Sequence, residues 1–152
     1  MIVTTENQDM LLEAAARKTA STGWAKDAQA VGFVDDRGLI GVAVYQNITE
    51  AHADFHLAAM PGRRLTAAVF QILLKLAFHS DHMALDVLWL PIPEKNVKAQ
   101  VAALKIGCQF EARRRGYSAD GTDAILMSLR CENLYHPQVV ATPADEGALQ
   151  GV

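Results

Sequence analysis

The sequence predicts an α/β domain built around one mixed sheet. Two observations carry this. The apolar period alternates between two and 3.6 residues in the order helix, strands, helix, strand, helix, strands, and no repeat or linker interrupts that order. A chain of 152 residues, 51% apolar, also falls within the size of one domain with one core.

Thr5-Glu6-Asn7-Gln8 has the spacing of a capping box ahead of Met10, Leu11, Leu12 and Ala15, which predicts a helix from Glu6 to Lys18. Gly23 and the cluster at 19–22 break it, and Trp24 falls on the loop that follows. Ala30 to Val34 and Leu39 to Ile48 are β-rich runs separated by Asp35-Asp36-Arg37-Gly38, which predicts a hairpin. Along its second arm Ile40, Val42, Val44 and Ile48 recur at period two, so one buried face is expected.

Ala51 to Met60 reads as a further strand, with Ala53, Phe55, Leu57 and Ala59 on one face and His52, Asp54 and His56 on the other. Pro61-Gly62-Arg63-Arg64 ends it. From Thr66 to His79 the period becomes helical, with two apolar stripes that call for burial against a sheet or against a second copy of the chain. Ala84 to Leu90 is a short apolar run ended by Pro91 and Pro93. Asn96 to Ile106 is the next helix, with Gly107 at its C-terminal cap. Cys108 to Arg115 and Asp123 to Arg130 are two last strands joined by a hairpin loop. The domain is expected to span 1–132. Residues 133–152, with two prolines, two glycines and no period, are expected to form a loosely ordered tail.

A net charge of −3 from interspersed residues of both signs lacks the basic stripe that nucleic acid would require. No apolar run approaches the roughly 20 residues that span a bilayer, and Met1 to Gln8 has no leader pattern, so a soluble cytoplasmic protein is expected. Cys108 and Cys131 lack zinc-site spacing and read as reduced, structural thiols.

Two places could carry chemistry. His52, Asp54 and His56 share a strand face at spacings of about 7 Å, which suits an acid–base relay. The same set admits a metal site, although three ligands on one strand converge poorly on one ion, and it also admits plain solvent-facing polar residues. Glu50 and Asp86, near strand ends, are further carboxylates of this kind. The second place is the turn Gly62, Arg63, Arg64, Leu65, Thr66, Ala67. A strand that turns sharply into a helix presents unpaired N–H groups at a positive dipole end, a dock for phosphate, unless it is simply a solvated turn with two arginines. Asn96 suits a helix N-cap in either case.

The segment Asn96-Val97-Lys98-Ala99, running through a helix to Lys105-Ile106-Gly107 and on to Phe110-Glu111, resembles the signature of the GNAT superfamily of acetyl-CoA-dependent N-acyltransferases. The likeness extends over roughly Val31 to Glu132, and it is nearest to compact bacteriophage-encoded GNAT-like proteins and the ribosomal-protein-acetylating branch. It implies a mostly antiparallel central sheet flanked by helices, with acetyl-CoA as cofactor. It further implies that Asn96 lies beside the pantetheine arm, that a backbone N–H near Leu57 or Ala58 polarises the thioester carbonyl, and that the stretch through Ala59 and the turn Gly62 to Ala67 holds the cofactor. His56 would then deprotonate the incoming ammonium, with Asp54 tuning its pKa. Two departures stand out: the pyrophosphate loop keeps one glycine, and the usual Tyr acid four residues before the helix-ending glycine is Ala103. The resemblance thus implies N-acetyl transfer to an amine-bearing acceptor, small molecule or protein, or alternatively a catalytically inactive GNAT-fold binding or assembly module. The broad apolar surface of the helix from Thr66 would suit a homodimer.

Overall fold

The computed structural model describes residues 1–19 and 23–135. In order these form β1 (Ile2–Thr4), α1 (Gln8–Thr19), β2 (Gln29–Asp35), β3 (Gly38–Gln46), β4 (His52–Ala59), α2 (Ala67–Phe78), β5 (Val87–Pro93), α3 (Val97–Lys105), β6 (Gln109–Arg114), β7 (Ala124–Arg130) and a final 3₁₀ turn, Cys131–Tyr135. The strands make one sheet of order β1-β2-β3-β4-β5-β7-β6, in which β4 and β5 alone run parallel. The α/β class and the mostly antiparallel sheet agree with expectation. The expected tail beyond Tyr135 lies outside the described residues.

Two clusters sandwich the sheet. Leu11 and Ala15 of α1 pack on Ala30, Val42 and Val44, while α2 and α3 cover the opposite face through Val69, Phe70, Leu73, Ala77, Ala99, Ala102 and Ala103. β3 is therefore buried on both sides from Ile40 to Gln46, so the buried side expected of it is joined by a second. Val42 and Val44 face α1, whereas Ile40 and Ile48 join the other cluster, Ile48 after a left-handed Asn47 (φ 50°) has ended the strand's period. The apolar breadth of α2 is likewise covered within the chain: Ile72, Leu74, Leu76 and Phe78 pack against the same core, leaving Ala68, Gln71 and Lys75 exposed.

Local rules hold in most places. Thr66 caps α2, accepting from the Val69 amide, and Asn96 caps α3, its Oδ1 accepting from the Ala99 amide at 3.1 Å. Gly107 (φ 103°) ends α3, with the Cys108 amide returning to the Ala103 carbonyl. The capping box does not form. Gln8 instead bonds the Thr5 carbonyl and reaches across to β2, exchanging two 2.8 Å hydrogen bonds with the backbone of Ala30. β1, a three-residue strand absent from the sequence-based expectation, lines up beside that clamp.

Pro91 and Pro93 were expected to end β5 but lie within it, paired with Leu126 and Ala124 of β7. Backbone N–H groups alternate sides along a strand, so these two positions share an edge. The ladder to β7 continues past them, which puts their missing donors on the edge facing β4. There the parallel pairing has already stopped, at Asp54 opposite Trp89. Proline is tolerated where the strand has no partner to bond.

Gly41 sits where β3 passes under Leu65. A Cβ there would meet Leu65 Cδ2 at 2.7 Å and the Ala58 carbonyl oxygen at 2.8 Å, and the backbone oxygen cannot yield. Gly41→Ala is expected to destabilise the fold by roughly 1–3 kcal/mol through overpacking. A urea melt checks this, and the double variant with Leu65→Ala is expected to lose less stability than the sum of the two single changes.

Candidate functional site

Beyond Asp54 and Trp89 the strands β4 and β5 separate. The Met60 amide donates to Ile40 of β3, so by alternation the amides of Ala58 and His56 also face β3, while those of Leu57 and Ala59 face the opening. This corrects the expectation for Ala58, whose N–H belongs to the β3 ladder; Leu57 keeps the assigned orientation. Opposite stand Pro91 and Pro93, which offer no N–H to the β4 carbonyls across the gap.

A cleft of about 1470 Å³ occupies this opening and continues around it, bounded by Trp24, Gln46, His56, the turn at Gly62 to Arg64, Asn96 and the β6–β7 loop from Tyr117 to Thr122. Its basic lining residues are Lys18, Arg63, Arg64, Lys95 and Lys98, against the carboxylate of Asp120. Such a surface favours an anionic group.

The turn that enters α2 is built by Pro61 and Gly62. The Arg63 amide returns to the Met60 carbonyl at 2.9 Å, and Gly62 takes φ 72°, the pattern of a type II turn that needs glycine at its third position. Leu65, 2% exposed, anchors the segment in the core. The amides of Arg64, Leu65, Thr66, Ala67 and Ala68 take no acceptor from the described residues. Arg63 behaves differently from the sequence-based expectation, because its guanidinium is paired with Asp35 and reaches the Gly38 carbonyl, stapling the turn to the β2–β3 hairpin. That pairing holds the Asp35 carboxyl below its usual range. Arg64 is exposed at the mouth of the cleft, and Thr66 and Ala67 contribute through the helix start alone.

His52, Asp54 and His56 do share one face of β4, but their side chains go to different partners. His52 meets the edge of Trp89 at 6.3 Å, Asp54 accepts from Asn47 Nδ2 at 2.9 Å, and His56 contacts Gln46 at 3.3 Å and the Trp24 ring at 5.3 Å. Among the described residues no group of three metal-ligating side chains converges. Burial pushes the His56 imidazole down to about 4, with Asp54 opposing the shift. The ring is therefore neutral near pH 7 and a weak base.

Trp24 and Gln46 escaped the sequence reading as site residues. Trp24 Nε1 donates to the Leu12 carbonyl at 2.9 Å, and Gln46 Oε1 accepts from the Ala25 amide at 2.8 Å. Asp27 accepts from the amides of Asn47 and Ile48 at 2.9 and 2.7 Å, which hold its carboxyl below the usual range. Together these tie the loop after α1 to the end of β3. The available signal was Gln46 itself, a polar residue closing an otherwise apolar strand. Lys95 and Lys98, flanking Asn96, were legible as charges but not as cleft residues. Ala103, the position at which the sequence resemblance would place a Tyr acid, is fully buried in the core. The phenol in the cleft is Tyr117, raised above its usual pKa by burial and by Asp54 against the opposing pull of Arg114, which lies over its ring at 5.3 Å. Its loop is pinned by Arg113, paired with Glu94 and Asp123.

No family model matches the chain, and no curated protein matches it by sequence. Solved structures do. A point mutant of the spermidine N-acetyltransferase SpeG from Vibrio cholerae superposes with TM-score 0.72 at 12% identity, over 90% of this chain and 98% of that one. A GNAT family acetyltransferase from Elizabethkingia anophelis with acetyl-CoA bound gives TM-score 0.69 at 12% identity, over 85% and 95%. This chain has the GNAT fold. The N-acetyltransferase PseH from Campylobacter jejuni shares it too, with TM-score 0.54 at 21% identity over 70% of each chain.

A neutral buried imidazole links stability to pH. The folded pKa of His56 lies below the ordinary value of 6.5, so the unfolded chain takes up a proton first. Stability attached to this group is complete above about pH 6.5 and is lost as pH falls toward about 4, by on the order of 3 kcal/mol. Urea melts of the wild type and of His56→Gln across that window are expected to show the component in the wild type only.

Proposed function

We propose that this chain is an N-acetyltransferase that moves an acetyl group from acetyl-CoA to a primary amine by direct attack in a ternary complex. The observation that carries this reading is the juxtaposition at one mouth of an open strand edge, Leu57 and Ala59 on β4, with the uncommitted amides that begin α2. The likeness to acetyltransferases, one of them with acetyl-CoA bound, supports the same assignment.

The residues present fit coenzyme A. The amides of Arg64 to Ala68, the positive end of α2 and the Arg64 side chain would hold its diphosphate, and Lys95 and Lys98 add charge for a further phosphate. The amides of Leu57 and Ala59 and the side of α3 capped by Asn96 would align the pantetheine arm. When bound, acetyl-CoA supplies an acyl group activated as a thioester. The chain's own part is then chiefly positioning: the strand-edge amides polarise the carbonyl, and the Trp24–His56–Tyr117 side of the cleft receives the amine. Asp54 attracts the ammonium form. His56, neutral at working pH, shapes this side of the cleft without placing a like charge beside the ammonium, and the amine's proton passes to water.

Calorimetric titration tests the reading. Micromolar binding of acetyl-CoA is expected, weakened about tenfold or more in Arg64→Ala/Lys98→Ala. Absence of binding would favour the alternative, an inactive binding or assembly module, which the shortened glycine loop and Ala103 motivate. With a suitable amine, His56→Ala is expected to lower kcat by about tenfold or more while the acetyl-CoA Kd stays within about twofold. Unchanged kcat would remove His56 from the mechanism.

A further inference from the structure

We infer that Gln46 is a positioning residue that locks the tautomer of His56, so that this imidazole offers a substrate a donor, Nδ1–H, and no free lone pair. The consequence for turnover rests on the acyl-transfer reading above; the tautomer itself rests on contacts within the chain.

The chain of assignment starts from a group that admits no choice. The Ala25 amide can only donate, and it meets Gln46 Oε1 at 2.8 Å. The other end of the Gln46 amide is then its NH₂, which faces His56 Nε2 at 3.3 Å. An NH₂ can only donate as well, so Nε2 must be the bare nitrogen and the proton resides on Nδ1. Nδ1 takes no partner from the described residues, and His56 lines the cleft. The opposite tautomer would set N–H against NH₂. Turning the Gln46 amide over would relieve that clash only by leaving the Ala25 amide facing another donor.

Both ends of the lock are held. Gln46 closes β3 and is 9% exposed, so its side chain has little room to swing. Ala25 is fixed by its neighbours: Trp24 by the bond to Leu12, Asp27 by its two bonds to Asn47 and Ile48, and the Ala25 carbonyl by the Ala28 amide at 3.1 Å. The Trp24 ring stands at 70° to the imidazole and sets its plane. The charged and titratable groups around His56 are Asp54 on its own strand, Lys18 at the end of α1, and Arg63, Arg64 and Tyr117 across the cleft; Gln46 on β3 is neutral. A lone pair already capped by Gln46 adds to burial in keeping the ring uncharged. In this arrangement His56 does not serve as the general base.

Long-range ¹H–¹⁵N NMR of the full chain labelled at histidine tests the assignment, with His56 signals identified by their loss in His56→Gln. At pH 7 the wild type is expected to show protonated Nδ1 and bare Nε2; the reverse pattern would overturn the proposal. In Gln46→Glu a carboxylate keeps an acceptor for Ala25 and presents a second to Nε2. The tautomer is then expected to switch to Nε2–H, and the His56 pKa to rise by roughly 1–3 units. A folded Gln46→Glu with an unchanged tautomer and pKa would refute the positioning role, and if that variant does not fold, the wild-type spectrum decides alone. If the wild type transfers acetyl groups, the acid limb of kcat/KM should move toward neutrality in Gln46→Glu with the acetyl-CoA Kd unchanged. If no amine is acetylated, the functional reading fails while the spectra still decide the tautomer.

Discussion

The organisation of this molecule depends on a parallel ladder that stops too soon. β4 and β5 pair over three residues and then part, and two prolines at alternate positions of β5 leave that edge without donors. A sheet of seven strands is thereby held together on both sides of a gap in its middle, by β3 on one flank and β7 on the other. The strand-edge side of the cleft follows from this. The strand-edge amides of Leu57 and Ala59 face the opening because β5 has moved out of bonding range, and the start of α2 reaches the same mouth because β4 ends there.

The cleft has two unlike sides, and the difference is electrostatic. Around the α2 and α3 N-termini the residues are open amides, Arg64, Lys95 and Lys98, a setting for anionic groups. On the other side stand the rings of Trp24 and Tyr117 and a neutral imidazole, a setting without added positive charge. The second side owes its shape to the loop after α1. That loop is clamped at Trp24, Ala25 and Asp27 by hydrogen bonds to α1 and β3, and Gln46 extends the same clamp to His56.

Much of the fold was legible in the chain. The β2–β3 hairpin, the helices, the Asn96 cap and the Gly107 ending all rest on rules that operate within about four residues, where side chain and backbone meet whatever the rest of the protein does. So does the position of the Pro61–Gly62 turn. The misreadings share one origin. Thr5 to Gln8 has capping-box spacing, yet Gln8 bonds Ala30, 22 positions away. Arg63 looked available for phosphate, yet Asp35, 28 positions earlier, takes its guanidinium. Pro91 looked like a strand terminator because proline removes a donor, and only the arrangement of neighbouring strands shows that no acceptor waits there.

The sequence by itself determined where the three helices and most of the strands lie, how α3 begins and ends, and which face of β4 carries ionisable groups, because periodicity and capping are properties of neighbours along the chain. Only the tertiary structure decided which of those groups meet. It turned His52, Asp54 and His56 to separate partners, covered both faces of β3, and joined Gln46, Ala25 and Trp24 around one imidazole. A hydrogen-bonding side chain has several partners it could take, and the choice among them is made by distant segments that packing brings within about 3 Å.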